Sequence, residues 1–310
     1  MRTCWSMLNT GSLLVPCRFN VDILRSKIAM NLQERSLTIY PNVSLAPLQN
    51  GANSMKQKIR SILRKLGFDI IRFNPKPRLN SAVDQTGRDP LNDMAGFLKS
   101  DAPVIFDVGA NVGQSIRKFR TRFPDSKIHS YEPSPATFAT LGQHTQGFEN
   151  LRLWNHAIGS ASGHLSFLEN EHSDMSSFLP LSNFGWGSVV KESLVEVKTI
   201  DQFCAEQNID RIDILKSDIQ GYDFEVFKGA EQHMRAGKVG LIYFEIIFSD
   251  MYKNLPLFGE VCDFLLSKDF LLVSFYECFY QHRLASWTDA LFVHKSSLQA
   301  HQLRGRATGA

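Results

Sequence analysis

The chain has 310 residues, of which 43% are hydrophobic and 21% charged, and its formal net charge is +3. This usage is ordinary for a globular protein and excludes collagen-like, coiled-coil and wholly disordered chains. No stretch approaches the roughly 18 consecutive apolar residues of a membrane-spanning helix. The five cysteines include no Cys-x-x-Cys pair. Their spacing argues against a disulfide scaffold or a cysteine-rich zinc site and predicts a reducing, cytoplasmic location.

Charge is distributed unevenly along the chain. Residues 55–78 carry eight basic side chains against one acidic, whereas residues 79–310 carry 21 basic against 28 acidic. Because the body is mildly acidic, no nucleic-acid partner is expected. Within the basic segment, residues 55–66 place apolar side chains at the period of an amphipathic helix. Two interpretations stay open: a helix docked on the domain, which we favour, and a peripheral contact with anionic lipid.

The sequence predicts four segments. Residues 1–54 show no sustained hydrophobic period and are expected to form a poorly ordered extension, so that Met55 is an alternative native start. Residues 55–99 combine the basic helix with a connector that contains several prolines. Residues 100–295 form the folded domain, and the polar, basic residues 296–310 are expected to fray.

Strand and helix patterns alternate through the predicted domain. The predicted helices span residues 91–98, 114–123, 136–145, 201–207, 222–228 and 257–266. The predicted strands span residues 104–108, 127–131, 151–155, 165–168, 194–197, 212–216, 239–246, 271–275 and 290–294. This alternation is typical of a doubly wound α/β fold, in which helices cover both faces of a mainly parallel sheet.

The most informative stretch is the turn after the first predicted strand, Asp-Val-Gly-Ala-Asn-Val-Gly from Asp107 to Gly113. Ligands of open α/β sheets bind beyond the carboxyl ends of the strands, where such a turn opens onto a helix. Gly109 and Gly113 allow the backbone to approach a ligand closely. Asn111 occupies the middle glycine position of the dinucleotide-binding pattern Gly-x-Gly-x-x-Gly, and no P-loop Gly-Lys-Ser or Gly-Lys-Thr follows. The turn therefore predicts a ligand site without a phosphate cradle.

A second acid follows the next predicted strand. Glu132 lies 19 residues beyond Gly113, and Pro133 ends the strand. An acid at about this distance accepts hydrogen bonds from the ribose hydroxyls of an adenosine-containing ligand. Two carboxylates, from Asp107 and Glu132, suit an adenosyl sulfonium with an ammonium group better than they suit NAD.

These residues resemble the cofactor site of class I S-adenosylmethionine-dependent methyltransferases and, more narrowly, that of the FkbM family. Further stretches that carry the resemblance are Tyr131-Glu132-Pro133, Ser176-Ser177-Phe178, Thr199-Ile200-Asp201 and the block from Leu215 to Ala230. The resemblance covers about residues 100–295 and implies a Rossmann-like sheet of seven strands with an antiparallel last strand. It implies O-methylation of a hydroxyl on a sugar, glycan or natural-product metabolite, with S-adenosylmethionine as cofactor. The cofactor-site residues that it implies are Asp107, Gly109, Asn111, Gly113, Glu132, Pro133, Asn155, His156 and Ala157.

The chain departs from this family pattern in its second block. Gln220 stands where the family commonly has glutamate, and Asp223 stands where glutamate is also common. The first change removes a carboxylate, which places a metal-binding or base role at that position in doubt.

Asp218, Glu245 and Lys216 are the candidate catalytic residues, because they lie near the ends of two neighbouring predicted strands. A carboxylate could take the proton of a hydroxyl acceptor, or Asp218 and Glu245 together could hold a divalent cation through hard oxygen ligands. The structural alternatives are a helix cap for Asp218 and an ion-pair partner for Lys216. Glu245 requires a partner or a wet cavity, because a buried unpaired charge is costly. Trp186, between two glycines, is a candidate lid over the acceptor.

The sequence therefore predicts an S-adenosylmethionine-dependent methyltransferase. One alternative is a nicotinamide-dependent oxidoreductase, which Asn111 at a glycine position disfavours. The other is a module that binds a cofactor or a glycan without turnover, which Gln220 motivates.

Overall fold

The computed structural model describes residues 86–298, together with two short strands earlier in the chain. These strands, β1 (Ser44–Leu45) and β2 (Ile71–Arg72), pair in parallel. They belong to a compact unit of residues 1–79, and residues 80–310 form a second unit. The predicted basic helix at residues 55–66 and most of the predicted extension and tail lie outside the described residues, so lipid contact through that helix stays a prediction.

Seven helices lie within residues 86–298, and three of them begin at a residue whose side chain caps the first turn. They are α1 (Pro90–Ala95), α2 (Gln114–Arg122), α3 (Pro135–His144), α4 (Ile200–Gln207), α5 (Asp223–Gly229), α6 (Glu231–Arg235) and α7 (Phe258–Ser267). The side chains of Asp89, Ser134 and Thr199 accept hydrogen bonds from backbone amides in the first turns of α1, α3 and α4. Such caps satisfy amides that have no partner inside the helix.

Seven strands form the main sheet. The strands of residues 86–298 are β3 (Val104–Val108), β4 (Lys127–Tyr131), β5 (Leu151–Trp154), β6 (Ala157–Ile158), β7 (Gly163–Asn170), β8 (Val189–Lys198), β9 (Ile212–Ser217), β10 (Val239–Ile247), β11 (Phe270–Gln281) and β12 (Leu284–His294). The order in the main sheet is β11-β12-β10-β9-β3-β4-β5. Its neighbours pair in parallel from β10 to β5, whereas β12 runs antiparallel to β10 and β11. The predicted sheet with its antiparallel end is confirmed.

Both faces of the main sheet are buried. Alternate residues of the central strands enter different hydrophobic clusters: Phe106 and Leu215 pack in one, and Ile105 and Ile214 pack in the other. The strands carry nearly continuous apolar runs because helices cover both faces. The parallel register then brings the carboxyl ends of β3, β4, β9 and β10 to the same edge of the sheet.

A separate three-stranded sheet flanks this edge. Strand β8 pairs antiparallel with β7 and parallel with β6. The sequence predicted only the short central runs of this hairpin, at residues 165–168 and 194–197. The strands extend further, and Ser177 pairs with Leu168 through two backbone hydrogen bonds. This pairing places the serine-containing loop beside the carboxyl ends of the main strands.

The final hairpin is also longer than predicted. Strands β11 and β12 continue to a tight turn at His282 and Arg283, whose φ angles are 49° and 70°. In one common two-residue hairpin turn both residues have positive φ, and the sequence of such a turn is usually Asn-Gly. Because neither residue is an asparagine or a glycine, the turn was not recognised in the sequence. The added length carries Phe279 and Trp287 to the level of Ile247, the last residue of β10.

Candidate cofactor and acceptor site

A cavity of about 250 Å³ lies at the carboxyl ends of the central strands. The predicted site residues that line it are Gly109, Asn111, Glu132, Pro133, His156, Ala157, Asp218 and Glu245. The predicted residues outside its lining are Asp107, Gly113, Asn155 and Lys216. The structure therefore brings most of the cofactor candidates and both candidate acids to one cavity.

The loop after β3 is shaped by packing against other parts of the protein. Gly109 has φ of 76°, and a Cβ atom there would lie 2.0 Å from the carbonyl oxygen of Asp218. Gly113 begins α2 with φ of 93°, and a Cβ atom there would lie 3.2 Å from Leu141. Gly109 lines the cavity, and both glycines also pack closely against other parts of the protein. Asn111 adopts φ of 46°, a left-handed conformation that asparagine tolerates and that a glycine would otherwise supply.

Glu132 is fixed by two backbone amides. Its Oε2 accepts a hydrogen bond from the Asn111 amide at 3.0 Å, and its Oε1 accepts one from the Ser134 amide at 2.9 Å. Burial raises the pKa of Glu132 to about 7, although these two hydrogen bonds lower it. Each carboxylate oxygen retains acceptor capacity beyond one hydrogen bond. The side chain lines the cavity, so two adjacent acceptors are available there to a diol such as ribose.

The raised pKa of Glu132 predicts a pH-dependent stability. The folded state favours the protonated carboxyl relative to the unfolded state, whose pKa is near 4.5. This stabilisation is complete below pH 4.5 and is lost as the pH rises through about 7. Between pH 5 and pH 8, the free energy of unfolding of the wild type, relative to Glu132→Gln, is expected to fall by about 2 kcal/mol. Urea unfolding without cofactor measures it, and parallel pH curves for the two proteins would contradict the prediction.

Two residues of the cavity lining, Tyr131 and His156, contain buried polar atoms without protein partners. The His156 Nδ1–H group donates to the carbonyl oxygen of Ala157 at 3.0 Å, which leaves Nε2 as an acceptor. Neither this Nε2 nor the Tyr131 hydroxyl has a hydrogen-bond partner. Burial lowers the pKa of His156 and favours the neutral ring. Both atoms are almost fully covered by protein, so they lie behind the surface of the cavity. Asn155 instead donates to the carbonyl oxygens of Glu132 and Pro133.

Asp107 and Lys216 form a buried ion pair beneath the loop. The Lys216 Nζ lies 3.0 Å from Asp107 Oδ1 and donates to the Gly109 carbonyl oxygen at 2.8 Å. Burial alone would lower the pKa of Lys216, but the charges of Asp107 and Asp218 outweigh it and raise the pKa to about 12. Ser115 Oγ donates to the other oxygen of Asp107 at 2.7 Å. The arrangement holds the loop in place, as the structural alternative for Lys216 anticipated.

The two candidate acids are joined by Gln220. Its amide nitrogen donates to Asp218 Oδ1 at 3.3 Å and to Glu245 Oε2 at 3.0 Å. The Tyr252 hydroxyl donates to the Gln220 amide oxygen at 2.8 Å and so orients the amide nitrogen toward the acids. Burial, followed by the charge of Asp218, raises the pKa of Glu245 well above its usual range. Glu245 thus has the partner that its burial requires.

Asp218 does not cap α5. That helix starts at Asp223, whose buried carboxylate accepts a hydrogen bond from Ser217 Oγ at 2.5 Å. The Asp218 side chain is instead 47% exposed, and its Oδ2 lies 3.7 Å from Lys216 Nζ. The Asp218 carboxylate is therefore accessible from the cavity, and the ammonium group of Lys216 lies close to it.

Comparison with known sequences identifies the family. Residues 107–272 match the methyltransferase FkbM domain. This protein belongs to the FkbM methyltransferase family. The predicted family membership is confirmed, and the chain is an S-adenosylmethionine-dependent methyltransferase of class I fold.

Two curated relatives are also methyltransferases. The 2-O-methyltransferase NoeI of Sinorhizobium fredii is 26% identical over 176 residues, which cover 53% of this chain and 72% of the relative. Methyltransferase 1 of Beauveria bassiana is 27% identical over 168 residues, which cover 46% of this chain and 64% of the relative. Among solved structures, M. capricolum TrmK in complex with S-adenosyl-homocysteine is 13% identical, with a TM-score of 0.37, over 66% of this chain and 67% of its own. The sequence matches, not this distant likeness in shape, identify the family.

The residues of this FkbM methyltransferase fit the cofactor of the family. A diol would meet the two fixed oxygens of Glu132, and a purine would fit beside the lining residues Pro133, His156 and Ala157. The ammonium of Lys216 is engaged by Asp107, so the described loop offers no free cation for a phosphate. The donor set therefore matches an adenosine without phosphates.

The residues missed in the sequence include Trp287, which lines the cavity, and Asp289 and Tyr252, which contact residues of its lining. Asp289 is the register partner of Glu245 on β12 and accepts a hydrogen bond from the Tyr243 hydroxyl at 2.5 Å. Burial raises its pKa. Trp287 and Tyr252 were missed as well, because their contacts depend on the antiparallel hairpin and on a loop after β10. The signal available in the sequence was Asp289, an acid two residues beyond the aromatic Trp287 near the end of the domain.

Two further observations concern a metal and a membrane. Within residues 86–298, no group of three or more histidine, cysteine, aspartate or glutamate side chains is arranged to hold a metal ion. The same part of the chain contains no helix that is both long and apolar enough to cross a membrane.

Proposed function

We propose that this protein transfers the methyl group of S-adenosylmethionine to a hydroxyl group of a sugar or glycan. The observation that carries the proposal is the placement of Asp218 and Glu245 in the same cavity as Glu132. Strands β3 and β9 separate β4 from β10, so Glu132 and Glu245 stand about three strand spacings, or roughly 14 Å, apart. A cofactor lying along the strand ends has its ribose at Glu132 and its methyl end at the two other acids.

Residues near β4 hold the adenosine in this proposal. Glu132 accepts the ribose hydroxyls, and Tyr131, His156, Ala157 and Pro133 surround the base. The backbone of the β3 loop, from Gly109 to Asn111, borders the middle of the cofactor, while Asp107 and Gly113 set the shape of that loop. When bound, S-adenosylmethionine supplies a methyl carbon activated by a sulfonium, and its departure leaves S-adenosylhomocysteine.

Asp218 acts as the general base. As the acceptor oxygen bonds to the methyl carbon and the carbon–sulfur bond breaks, the hydroxyl proton passes to the Asp218 carboxylate. Its Oδ1 is held by Gln220 and its Oδ2 faces Lys216, so the acid is oriented for the transfer. Glu245, whose pKa is raised by burial and by the charge of Asp218, hydrogen-bonds the acceptor. Positioning of the reactants supplies much of the remaining acceleration.

We propose further that Gln220 replaces a cation between the acids. Its amide nitrogen donates to both carboxylates, the two oxygen ligands that would be expected to hold a divalent ion if one were bound. The name of NoeI, a 2-O-methyltransferase, supports an oxygen nucleophile. The name gives no information about a metal. A divalent cation therefore has no required role in this proposal.

Restoring the family glutamate tests the role of Gln220. Gln220→Glu places a third carboxylate beside Asp218 and Glu245, and like charges at this distance destabilise each other. We expect turnover in EDTA to fall about tenfold and to recover partly when magnesium is added. Gln143→Glu, an exposed position on α3, is the matched control. Turnover of Gln220→Glu equal to that of the wild type in EDTA would contradict the bridging role.

Calorimetry and a transfer assay test the function itself. Titration with S-adenosylmethionine and with NAD is expected to show binding of the first alone. Transfer of a labelled methyl group to a panel of methyl pyranosides and oligosaccharides then tests the acceptor. Binding of the cofactor without transfer to any panel member would favour the alternative of a non-catalytic module.

A further inference from the structure

Three aromatic rings form a ledge at the open side of the cavity. Trp186 and Trp287 both line the cavity, and their ring centroids lie 5.8 Å apart. Phe279 is nearly parallel to Trp287, with centroids 5.0 Å apart and 11° between the planes. Trp186 remains 37% exposed and Phe279 42% exposed. Large aromatic surfaces left open beside a cavity are typical of a binding site.

The strand register aligns this ledge with the candidate acids. Trp287 pairs with Ile247, two residues beyond Glu245, and it precedes Asp289 by two residues. Residues two apart on a strand lie on the same face, separated by roughly 7 Å. Phe279 is the partner of Trp287 on β11. The rings therefore stand one side-chain row outward from the row of carboxylates, on the same face of the sheet.

Trp186 is held in the ledge by its backbone. Asn170 Nδ2 donates to the Trp186 carbonyl oxygen at 3.2 Å. A Cβ atom on the preceding Gly185 would lie 2.6 Å from the Met251 carbonyl oxygen, and the following Gly187 has φ of 77°. The segment thus passes close to two other loops on both sides of the tryptophan. These contacts suit a fixed platform, whereas the sequence had suggested a mobile lid.

We propose that Trp186, Trp287 and Phe279 bind the apolar face of a pyranose ring of the acceptor, a proposal that rests on the proposed function. Trp186 and Phe279 are both partly exposed, and the negative charge density of an aromatic face favours contact with polarised C–H groups. The neighbouring row presents Asp218 and Glu245, which accept hydrogen bonds from hydroxyl groups. A pyranose has both features, an apolar C–H face and an edge of hydroxyls. A flat aromatic acceptor would use the ledge and leave most of the polar row without donors.

Saturation-transfer NMR tests the platform directly. Methyl β-D-glucopyranoside is titrated with the protein saturated with S-adenosylhomocysteine, and sorbitol serves as a polyol without a rigid apolar face. We expect stronger transfer to one ring face of the glucoside than to the other, and little transfer to sorbitol. Trp186→Ala and Phe279→Ala are expected to lower the glucoside signal, whereas Trp186→Phe retains most of it.

Steady-state kinetics with the best acceptor from the transfer assay distinguish loss of the platform from loss of the fold. Trp186→Ala is expected to raise KM for the acceptor about tenfold, with kcat and the affinity for S-adenosylmethionine within about twofold of the wild type. Tyr280→Ala is the matched control, because Tyr280 is next to Phe279 on β11, is 67% exposed and does not line the cavity.

The outcomes distinguish this proposal from the proposed function. If Trp186→Ala and Phe279→Ala leave KM and the NMR signal unchanged while transfer persists, the platform is overturned and the methyltransferase assignment stands. If Tyr280→Ala has the same effect as Trp186→Ala, the platform is also overturned. If no pyranoside is methylated but the glucoside shows the face-specific signal that Trp186→Ala removes, the platform stands and the proposed function fails.

Discussion

Glu132→Gln is expected to lower the affinity for S-adenosylmethionine by about 10²- to 10³-fold. In the native side chain both oxygens are acceptors, and each receives a backbone N–H group, one from Asn111 and one from Ser134. Glutamine has one acceptor oxygen, so the side chain can no longer offer an acceptor to each of the two ribose hydroxyls, and a hydroxyl left without its partner costs about 1–3 kcal/mol of binding. The variant also loses charge-assisted hydrogen bonds to the ribose hydroxyls, which are roughly twice as strong as neutral ones.

Isothermal titration calorimetry with S-adenosylmethionine and S-adenosylhomocysteine measures this change. Glu149→Gln, at an exposed position before β5, is the control and should bind as the wild type does. Circular dichroism at the titration pH is the check that the Glu132→Gln protein is folded. A folded Glu132→Gln protein with an affinity within threefold of the wild type would contradict the assignment of Glu132 to the ribose.

The strands that form the site could be predicted closely from the sequence. The bounds of β3 and β4 agree with the prediction. A turn that begins with a glycine follows Val108 at the end of β3, and a proline follows Glu132 just after the end of β4. Both signals are local: a strand ends where the backbone must turn or cannot continue the ladder. The order of the strands then follows from short right-handed crossovers. Local patterns were therefore sufficient to place the carboxyl ends of the strands.

The contacts of the site could not be predicted in the same way. Asp107 was expected to face the ligand, but its carboxylate pairs with Lys216, which is far away in the sequence. A β3 acid and a β9 lysine meet because those strands are neighbours and the two residues share a register. Gln220 was interpreted as a lost carboxylate, whereas Tyr252 turns its amide toward two acids. Such pairings depend on three-dimensional neighbours, and no spacing in the sequence encodes them.

The last hairpin shows the same limit for the acceptor side. The sequence placed its strands at residues 271–275 and 290–294, which covers the paired core and omits the extended ends. The omitted part contains Trp287, which lines the cavity, together with its strand partner Phe279 and with Asp289, the partner of Glu245. The proposed cofactor residues therefore follow from motifs, while these positions follow from the shape of one hairpin.

Asp218→Asn is expected to lower kcat by about 10²- to 10⁴-fold, the range that a positioned general base contributes. Asparagine keeps the shape of the side chain and its hydrogen-bond acceptor for Gln220, but it cannot take the acceptor proton. The affinity for S-adenosylmethionine should stay within about threefold of the wild type, because cofactor binding is assigned to Glu132 and its neighbours. Asp263→Asn, at an exposed position on α7, is the control.

Single-turnover measurements make the role of Asp218 specific. With cofactor and acceptor saturating, Asp218→Asn should slow methyl transfer itself by the factor of about 10²- to 10⁴-fold expected for loss of a general base. Glu245→Gln should cost only about tenfold, because Glu245, with its raised pKa, acts through a hydrogen bond rather than as a base. If Glu245→Gln slows methyl transfer more than Asp218→Asn does, the two acids exchange roles. An unchanged kcat in Asp218→Asn would exclude it from proton transfer, and the aspartate would then serve only to hold Gln220.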